Sequence, residues 1–223
     1  MEATKAIQGW RSIRKFSEEE VAEEKLRKVL EAGRRAPSWE NVQPWRFVVI
    51  DDAAMKEKLV MLSKGQKFVA RAPVVIGVVG DLGAWDKPKN REALLELIEA
   101  GAMKATAEVV DNFILKDRVF CVAENSPAVI LARTFEQLGI ACGFMCVEAV
   151  NQGLGACIVG AFGNRVNDDM KEIYEEVAGE LGLSESMYLL ALIPIGVPAE
   201  APAARPRKPL ADIASRNRVG NPL

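Results

Sequence analysis

Residues 11–16 read RSIRKF and collect cationic and hydrogen-bonding groups close to the N-terminus. Two guanidinium groups, one hydroxyl and several backbone N–H groups lie within six residues. A guanidinium fork binds an anion such as phosphate through two parallel hydrogen bonds. The segment therefore suits a phosphate group together with the polar edge of a ring, although a solvated basic turn has the same composition.

Residues 36–45 read APSWENVQPW and form a second polar segment of unusual composition. The two prolines restrict the backbone, while Ser38, Asn41 and Gln43 supply hydrogen-bond donors and acceptors. Such a loop can present hydrogen bonds to a heteroaromatic ligand. The same sequence also suits a rigid connection between a helix and a strand in which both tryptophans pack.

The composition excludes several classes of chemistry. The chain of 223 residues contains no histidine, which excludes Ser-His-Asp and Cys-His nucleophiles, histidine-ligated zinc and histidine acid–base catalysis. Any reaction must use other side chains or a bound cofactor. The net charge of −2 predicts no general attraction to nucleic acid or to anionic membranes.

The four cysteines form no C-x-x-C pair, so zinc-ribbon and thioredoxin-like sites are not expected. Cys142 and Cys146 lie four residues apart in an apolar helical run, which favours packing over metal binding. The N-terminus lacks the apolar core of a signal peptide, and no run of 18 uncharged apolar residues occurs. We therefore expect a cytoplasmic protein with reduced thiols and no membrane span.

Hydrophobic spacing and start signals predict the elements that must position these segments. A capping box at 17–20 predicts a helix that ends before Pro37. Further helices are predicted over 52–63, about 94–116, 127–152 and 167–181, with strands over 46–50, 74–79, 156–159 and 188–197 and a loop over 81–91. Together they indicate an α+β fold with a small sheet packed by helices.

Two features stand out among these elements. Between 137 and 152 the predicted long helix carries one charged residue, Glu148, so it is expected to be buried on most sides. Beyond residue 198, prolines recur every three or four residues, which favours an extended C-terminal arm over a helix.

Taken together, residues 10–16 and 36–45 resemble the FMN-dependent nitroreductase family, whose pattern reads R-R-S-x-R-x-F and, further along, A-P-S-x-x-N-x-Q-P-W. The glycine segment 153–160, the strand 192–198 and the basic tail 205–210 follow in the family's order. The resemblance implies one nitroreductase-like domain over 1–223. Its expected features are a small mixed or antiparallel sheet, a long central helix, an extended arm over 199–223 and an intertwined homodimer.

The resemblance also implies a function and a cofactor. FMN would take hydride at its N5 atom from NAD(P)H, a transient reductant, and pass electrons to a small organic acceptor such as a nitroaromatic or a quinone. No catalytic side chain and no metal are expected. Arg11, Ser12 and Arg14 would line the phosphate, ribityl chain and pyrimidine edge, with Arg14 nearest the pyrimidine. Arg205 and Arg207 would close on the phosphate, unless they belong to a solvated tail.

The remaining residues implied to bind FMN lie elsewhere in the chain. Some would reach the FMN of the partner subunit: Pro37, Ser38 and Asn41. Gln66 or Lys67 would touch the ribityl chain, and Gly160 and Ala161 would pass their backbone near the ring. The sequence departs from the family at Trp10, which replaces its first arginine, and at Gly160, where an acid is common. Residues 81–125 match nothing specific and are expected to shape the substrate pocket.

Other interpretations of the sequence remain open. The glycines at 153 and 155 follow a helix and precede a strand, whereas a Rossmann loop follows a strand and opens a helix. A dinucleotide-binding loop is therefore disfavoured. A specialised flavoenzyme of the same fold, catalysing reductive dehalogenation or flavin fragmentation, is an alternative. So are a flavin-binding redox protein with little turnover and a purely structural helical protein.

Overall fold

This computed structural model describes residues 2–223, which contain nine α-helices and four strands. The helices are α1 Ala3–Gly9, α2 Glu23–Arg34, α3 Ala53–Leu62, α4 Phe68–Arg71, α5 Lys87–Glu99, α6 Ala107–Asn112, α7 Pro127–Asn151, α8 Lys171–Glu180 and α9 Leu210–Ile213. The strands are β1 Trp45–Ile50, β2 Val74–Asp81, β3 Gly155–Ala156 and β4 Met187–Gly196.

The four strands form one antiparallel sheet in the order β1-β2-β4-β3. Every residue of β2 is buried, as expected for a central strand covered on both faces. Its side chains alternate: Ile76 and Val78 pack towards α2 and α7, whereas Val75 and Val79 pack towards α3 and α8. The predicted α+β class is confirmed, and the sheet is antiparallel rather than mixed.

The helix α7 is the central element of one helical layer. It packs closely on β2, because a Cβ atom added at Gly80 would lie 2.6 Å from Thr134 Cγ2. By length and composition α7 could cross a membrane, with a mean hydropathy of 1.3 in its most apolar window, of which 39% is buried within the chain. The core helix of a globular protein passes the same test. Part of its apolar surface stays exposed, including Phe135 and Phe144.

The start of α2 differs from the expectation of a capping box at 17–20. The helix begins at Glu23 after Ala22, which makes no side-chain capping bond. The Ser17 hydroxyl instead accepts a hydrogen bond from the Glu19 N–H at 3.3 Å, and the Ser17 N–H donates to the Val197 carbonyl at 2.9 Å. Pairing with the end of β4 keeps this segment extended, so tertiary contact overrides the local helix signal.

The excursion over 81–125 is also more structured than predicted. Residues 81–91 are not a loop, since a short 3₁₀ helix, Leu82–Trp85, leads directly into α5. The predicted helix over 94–116 is divided, because Gly101 has a φ of +70° and the Thr106 hydroxyl caps a separate helix, α6. The excursion has a small apolar cluster of its own, made by Leu94, Val110, Ile114, Leu115 and Cys121.

Asn167, the predicted cap of the next helix, lies four residues before the observed start of α8 at Lys171. Met170, with a φ of 55°, precedes α8 without a side-chain cap. The Asn167 side-chain oxygen accepts from the Asn164 and Asp169 N–H groups, at 2.9 and 3.1 Å. Asparagine therefore organises a turn here rather than a helix start, a local alternative that its short amide side chain favours.

Candidate functional site

A basic cleft of about 370 Å³ lies where the N-terminal segment meets the C-terminal arm. Its walls are Trp10, Arg11, Ser12, Arg14, Lys15, Arg71, Glu200, Pro202, Ala203, Arg205 and Arg207. Six of these side chains are cationic and one is acidic. Five of the residues predicted to bind the cofactor therefore converge on one site, although about 190 residues separate the two segments.

Backbone pairing beside β3 positions the N-terminal wall of the cleft. Ser12 forms a parallel bridge with Ala156, and the Ile13 N–H donates to the Ala156 carbonyl at 3.0 Å. Ile13 packs so closely on β3 that a Cβ atom added at Gly155 would lie 2.8 Å from its side chain. Because Gly155 has no side chain, Ile13 can pack against β3. This contact positions Ser12 and Arg14, the residues on either side of Ile13.

The C-terminal arm returns to the same segment after β4. Phe16 bridges Pro198 in antiparallel orientation, and the Ala199 N–H donates to the Lys15 carbonyl at 2.9 Å. The Glu200 carboxylate then accepts from the backbone N–H groups of Arg14 and Lys15. Further along the arm, Arg205 and Arg207 line the cleft.

The cationic side chains of the cleft have few partners inside the chain. Within residues 2–223, none of the six forms an ion pair within 4.0 Å. The Arg11 guanidinium donates to the Gln8 and Trp10 carbonyls, both at 2.7 Å, and the Arg14 guanidinium lies 5.6 Å from the centre of the Phe68 ring. Uncompensated cations around a concave surface create a positive potential that attracts an anion.

Cys157 lies beneath the cleft and is 2% exposed. Burial raises the pKa of its thiol, against the opposing effects of the Arg14 charge and a hydrogen bond with Ser12. Burial also raises the pKa of Cys142 to about 12 and raises that of Cys146. All four cysteines are free and buried, so the prediction that Cys142 and Cys146 pack is confirmed.

Gln66 lies against the segment that contains Gly160 and Ala161. The Gln66 side-chain amide donates to the Ala161 carbonyl at 3.1 Å. Val159, two residues earlier, pairs with Leu192 through two backbone hydrogen bonds of 2.8 and 2.9 Å, which anchors the segment to β4. Gly160 and Ala161 are exposed, and a Cβ atom at Gly160 would meet nothing within 4 Å. The backbone here is open to a planar ligand.

Among residues 2–223, the walls of the basic cleft do not include Pro37, Ser38 or Asn41 of the same chain. Their loop lies against α7, where the Trp39 N–H donates to the Gln137 side chain at 2.8 Å. The Ser38 hydroxyl accepts from the Gln43 N–H at 3.0 Å. Their expected role towards a partner subunit's FMN stays a prediction.

This loop has a strained backbone and is tied to the excursion. Glu40, Asn41 and Gln43 have φ angles of 49°, 57° and 49°, a region that non-glycine residues rarely occupy. The Glu40 carboxylate accepts from the buried Asn90 amide of α5 at 2.9 Å. Burial raises the pKa of Glu40, and the Asn90 hydrogen bond opposes that effect.

The sequence did not identify three charged residues of the cleft: Lys15, Arg71 and Glu200. Lys15 lies inside the RSIRKF motif and could have been included with its neighbours. Arg71 ends the short helix α4, and Glu200 stands in the arm two residues after Pro198. Nothing in the local sequence around either residue indicates that it faces residues 11–15, because only the packing of distant segments creates that contact.

Comparison with known proteins gives consistent matches over the whole fold. The family model described as "Nitroreductase family" matches residues 7–197. A Thermus thermophilus protein named NADH dehydrogenase is 32% identical over 203 residues, or 90% of this chain and 88% of that protein. The FMN reductase (NAD(P)H) of Bacillus subtilis is 28% identical over 208 residues, or 93% of this chain and 70% of that protein. A structure from Exiguobacterium sibiricum in complex with FMN has a TM-score of 0.76 at 26% identity and covers 97% of this chain and 98% of that one.

Proposed function

The chain belongs to the nitroreductase family, and from that premise we propose that it is an FMN-dependent oxidoreductase that uses NAD(P)H to reduce a small organic acceptor. Its reaction chemistry would come from the flavin, which accepts two electrons from a nicotinamide and releases them to an acceptor. The side chains of the protein bind and orient the reactants. Because the chain has no histidine, this division of labour also fits its composition.

The observation that carries the proposal is the basic cleft. Its six cationic side chains without ion pairs suit the phosphate of FMN, which is a dianion at neutral pH. Arg11 would face the phosphate from one wall, Arg205 and Arg207 would face it from the other, and Arg14 would lie nearer the pyrimidine edge. Ser12 would donate its hydroxyl to the phosphate or the ribityl chain. The positive charge at Arg14 would also stabilise the negative charge that reduction places on the pyrimidine edge.

The exposed backbone at 160–161 supports a position for the flavin ring. Gln66 holds Ala161 through its side-chain amide, and the absence of a side chain at Gly160 leaves the backbone N–H groups accessible. We propose that the ring lies over this segment. With glycine in place of the acid common in the family, one face of the ring would lack a carboxylate neighbour.

A homodimer is part of the proposal. The exposed face of α7 contains Phe135, Gly139, Gly143 and Phe144, and Cβ atoms at both glycines would meet nothing within 4 Å. Two such faces can approach closely because glycine adds no side chain. The loop carrying Pro37, Ser38 and Asn41 would complete the partner's site, and the exposed arm beyond Pro198 would gain packing from the partner. We place this dimer in the cytoplasm, in keeping with four free thiols.

The test begins with the purified full-length protein and its absorption spectrum. Chromatography of the released cofactor should identify FMN rather than FAD, since the cleft offers one phosphate site and residues 2–223 contain no G-x-G-x-x-G loop between a strand and a helix for an adenine nucleotide. A preparation that binds neither FMN nor FAD would overturn the proposal.

Turnover is tested separately from binding. Anaerobic NAD(P)H should bleach the flavin absorbance, and a nitroaromatic or quinone should restore it. Bleaching without reoxidation by any acceptor would instead favour a flavin-binding redox protein. Product analysis distinguishes simple reduction from reductive dehalogenation or flavin fragmentation.

A further inference from the structure

Glu200 is the one acidic side chain among the described walls of the basic cleft. It is partly buried, and one carboxylate oxygen, Oε1, accepts two backbone hydrogen bonds. The Arg14 N–H donates at 2.6 Å and the Lys15 N–H at 3.1 Å. A carboxylate in an anion-binding cleft is electrostatically unfavourable for a second anion, so its presence needs a physical reason.

The position of Glu200 in the arm supplies that reason. Upstream, the arm is held by the Phe16–Pro198 bridge and by the Ala199 N–H donating to Lys15. Downstream, residues 201–209 are all exposed, and within the described chain they make no hydrogen bond to any residue outside the arm. Glu200 is therefore the last polar anchor before Arg205 and Arg207.

We propose that Glu200 is a positioning residue for cofactor binding, which fixes the start of the arm so that Arg205 and Arg207 face the cleft. The inference rests on the proposed function, because it assigns those arginines to the flavin phosphate. The two hydrogen bonds that the Glu200 carboxylate accepts restrict the direction in which the chain leaves residue 200. Without them, two cations on an exposed, proline-rich segment would have to be ordered by the ligand itself, and the lost conformational entropy would weaken binding.

The proposal and a purely electrostatic role predict opposite effects. If the carboxylate acted only by repelling phosphate, any neutral substitution at Glu200 would tighten FMN binding. If it orders the arm, removing the acceptor weakens binding, and an acceptor without charge preserves most of it. Glu200→Ala removes both properties, whereas Glu200→Gln keeps a side-chain oxygen that can accept from the same N–H groups.

The experiment titrates the full-length protein, freed of flavin, with FMN and with riboflavin, which lacks the phosphate. Glu200→Ala should raise the FMN dissociation constant about tenfold and leave that of riboflavin unchanged. Glu200→Gln should stay within about threefold of the unmodified protein for both flavins. Glu20→Ala, which removes an exposed glutamate outside the cleft, is the matched control and should change neither constant.

A double-mutant cycle tests whether Glu200 acts through the arm. In an Arg205→Ala/Arg207→Ala background, Glu200→Ala should have no further effect on FMN affinity, because the groups that it positions are already absent. Equal or tighter FMN binding by Glu200→Ala would overturn the inference, as would an equal loss for FMN and riboflavin or full additivity in the cycle. Failure of the unmodified protein to bind any flavin would overturn the proposed function, and the inference with it.

Discussion

At the scale of single residues, Arg14 has the most direct electrostatic role in the proposed site. Arg14→Ala should weaken FMN binding by about 1.5–3 kcal/mol, the range for a charge-assisted hydrogen bond. It should also lower the reduction potential of the bound flavin, because the anionic reduced ring loses a neighbouring cation. Arg14→Lys should retain part of both effects, since the charge survives while the guanidinium fork is lost.

The check on Arg14 combines flavin titration with a spectroscopic measurement of the potential. Arg27→Ala provides the control, because Arg27 is exposed on α2 and pairs with Glu23 outside the cleft. Unchanged affinity and potential in Arg14→Ala would show that the guanidinium does not contact the flavin.

Glu40, in the loop over 36–45, makes the free energy of unfolding depend on pH. Burial raises its pKa above the ordinary value of 4.5 in the folded state. The folded protein therefore binds a proton at Glu40 more tightly than the unfolded chain does. This proton binding stabilises the fold below pH 4.5, and the stabilisation is lost as pH rises through the raised pKa of Glu40. Glu40→Gln, which keeps an acceptor for Asn90, should therefore be more stable than the unmodified protein at pH 7.

Denaturant unfolding between pH 4 and pH 7 measures this difference. The advantage of Glu40→Gln should grow with pH and be modest, because Glu40 is only partly buried. Glu20→Gln serves as the control on an exposed glutamate. A constant difference between Glu40→Gln and the unmodified protein across the range would contradict the assignment.

At the scale of elements, the contact between β3 and the N-terminal segment sets the shape of the cleft. Gly155→Ala should destabilise the protein by about 1–3 kcal/mol, the usual effect of overpacking, because the new methyl group would lie 2.8 Å from Ile13. It should also weaken FMN binding, since Ser12 and Arg14 flank the displaced residue. Gly179→Ala, on an open position of α8, makes the same chemical change and should be neutral or slightly stabilising. Thermal unfolding and flavin titration of the two variants provide the comparison.

The exposed face of α7 is the element on which the proposed dimer depends. Gly143→Arg places a long charged side chain where a Cβ atom currently has open space, so it should prevent close approach of a second α7. Sedimentation should then show a monomer with reduced flavin content, because the loop at 37–41 no longer reaches a partner. Gly179→Arg, on α8, should remain dimeric. A dimeric Gly143→Arg protein with normal flavin content would place the interface elsewhere.

At the scale of the whole molecule, the fold offers one place for both redox partners. Within residues 2–223 no G-x-G-x-x-G loop joins a strand to a helix as a separate dinucleotide site would require, since the glycines at 153 and 155 follow α7 and lead into β3. The reductant and the acceptor are thus expected to use the same open face in turn. Turnover should follow ping-pong kinetics, with parallel double-reciprocal plots at several acceptor concentrations. Intersecting lines, with no flavin reduction when the acceptor is omitted, would contradict a shared site.

The elements that depend on short-range patterns were predictable from the sequence alone. The helix predicted over 127–152 is observed as α7, and the apolar run 74–79 predicts the central strand β2. The motifs RSIRKF and APSWENVQPW identify the family, and the first contributes four residues to the cleft: Arg11, Ser12, Arg14 and Lys15. Each of these signals is contained in a few neighbouring residues, where helix capping, strand burial and side-chain chemistry are decided locally.

The tertiary structure alone decided which distant segments meet. The Arg14 N–H and the Glu200 carboxylate are 186 residues apart in sequence, and Arg71 reaches the same cleft from α4. The start of α2 was likewise set by pairing of Ser17 with Val197 rather than by its capping box. A helix cap contributes about 1 kcal/mol, so a long-range contact overrides it when that contact satisfies the same backbone groups and buries more apolar surface. For that reason the sequence identified residues that could bind an anion, whereas only the fold showed that Glu200 and the arm line the same cleft.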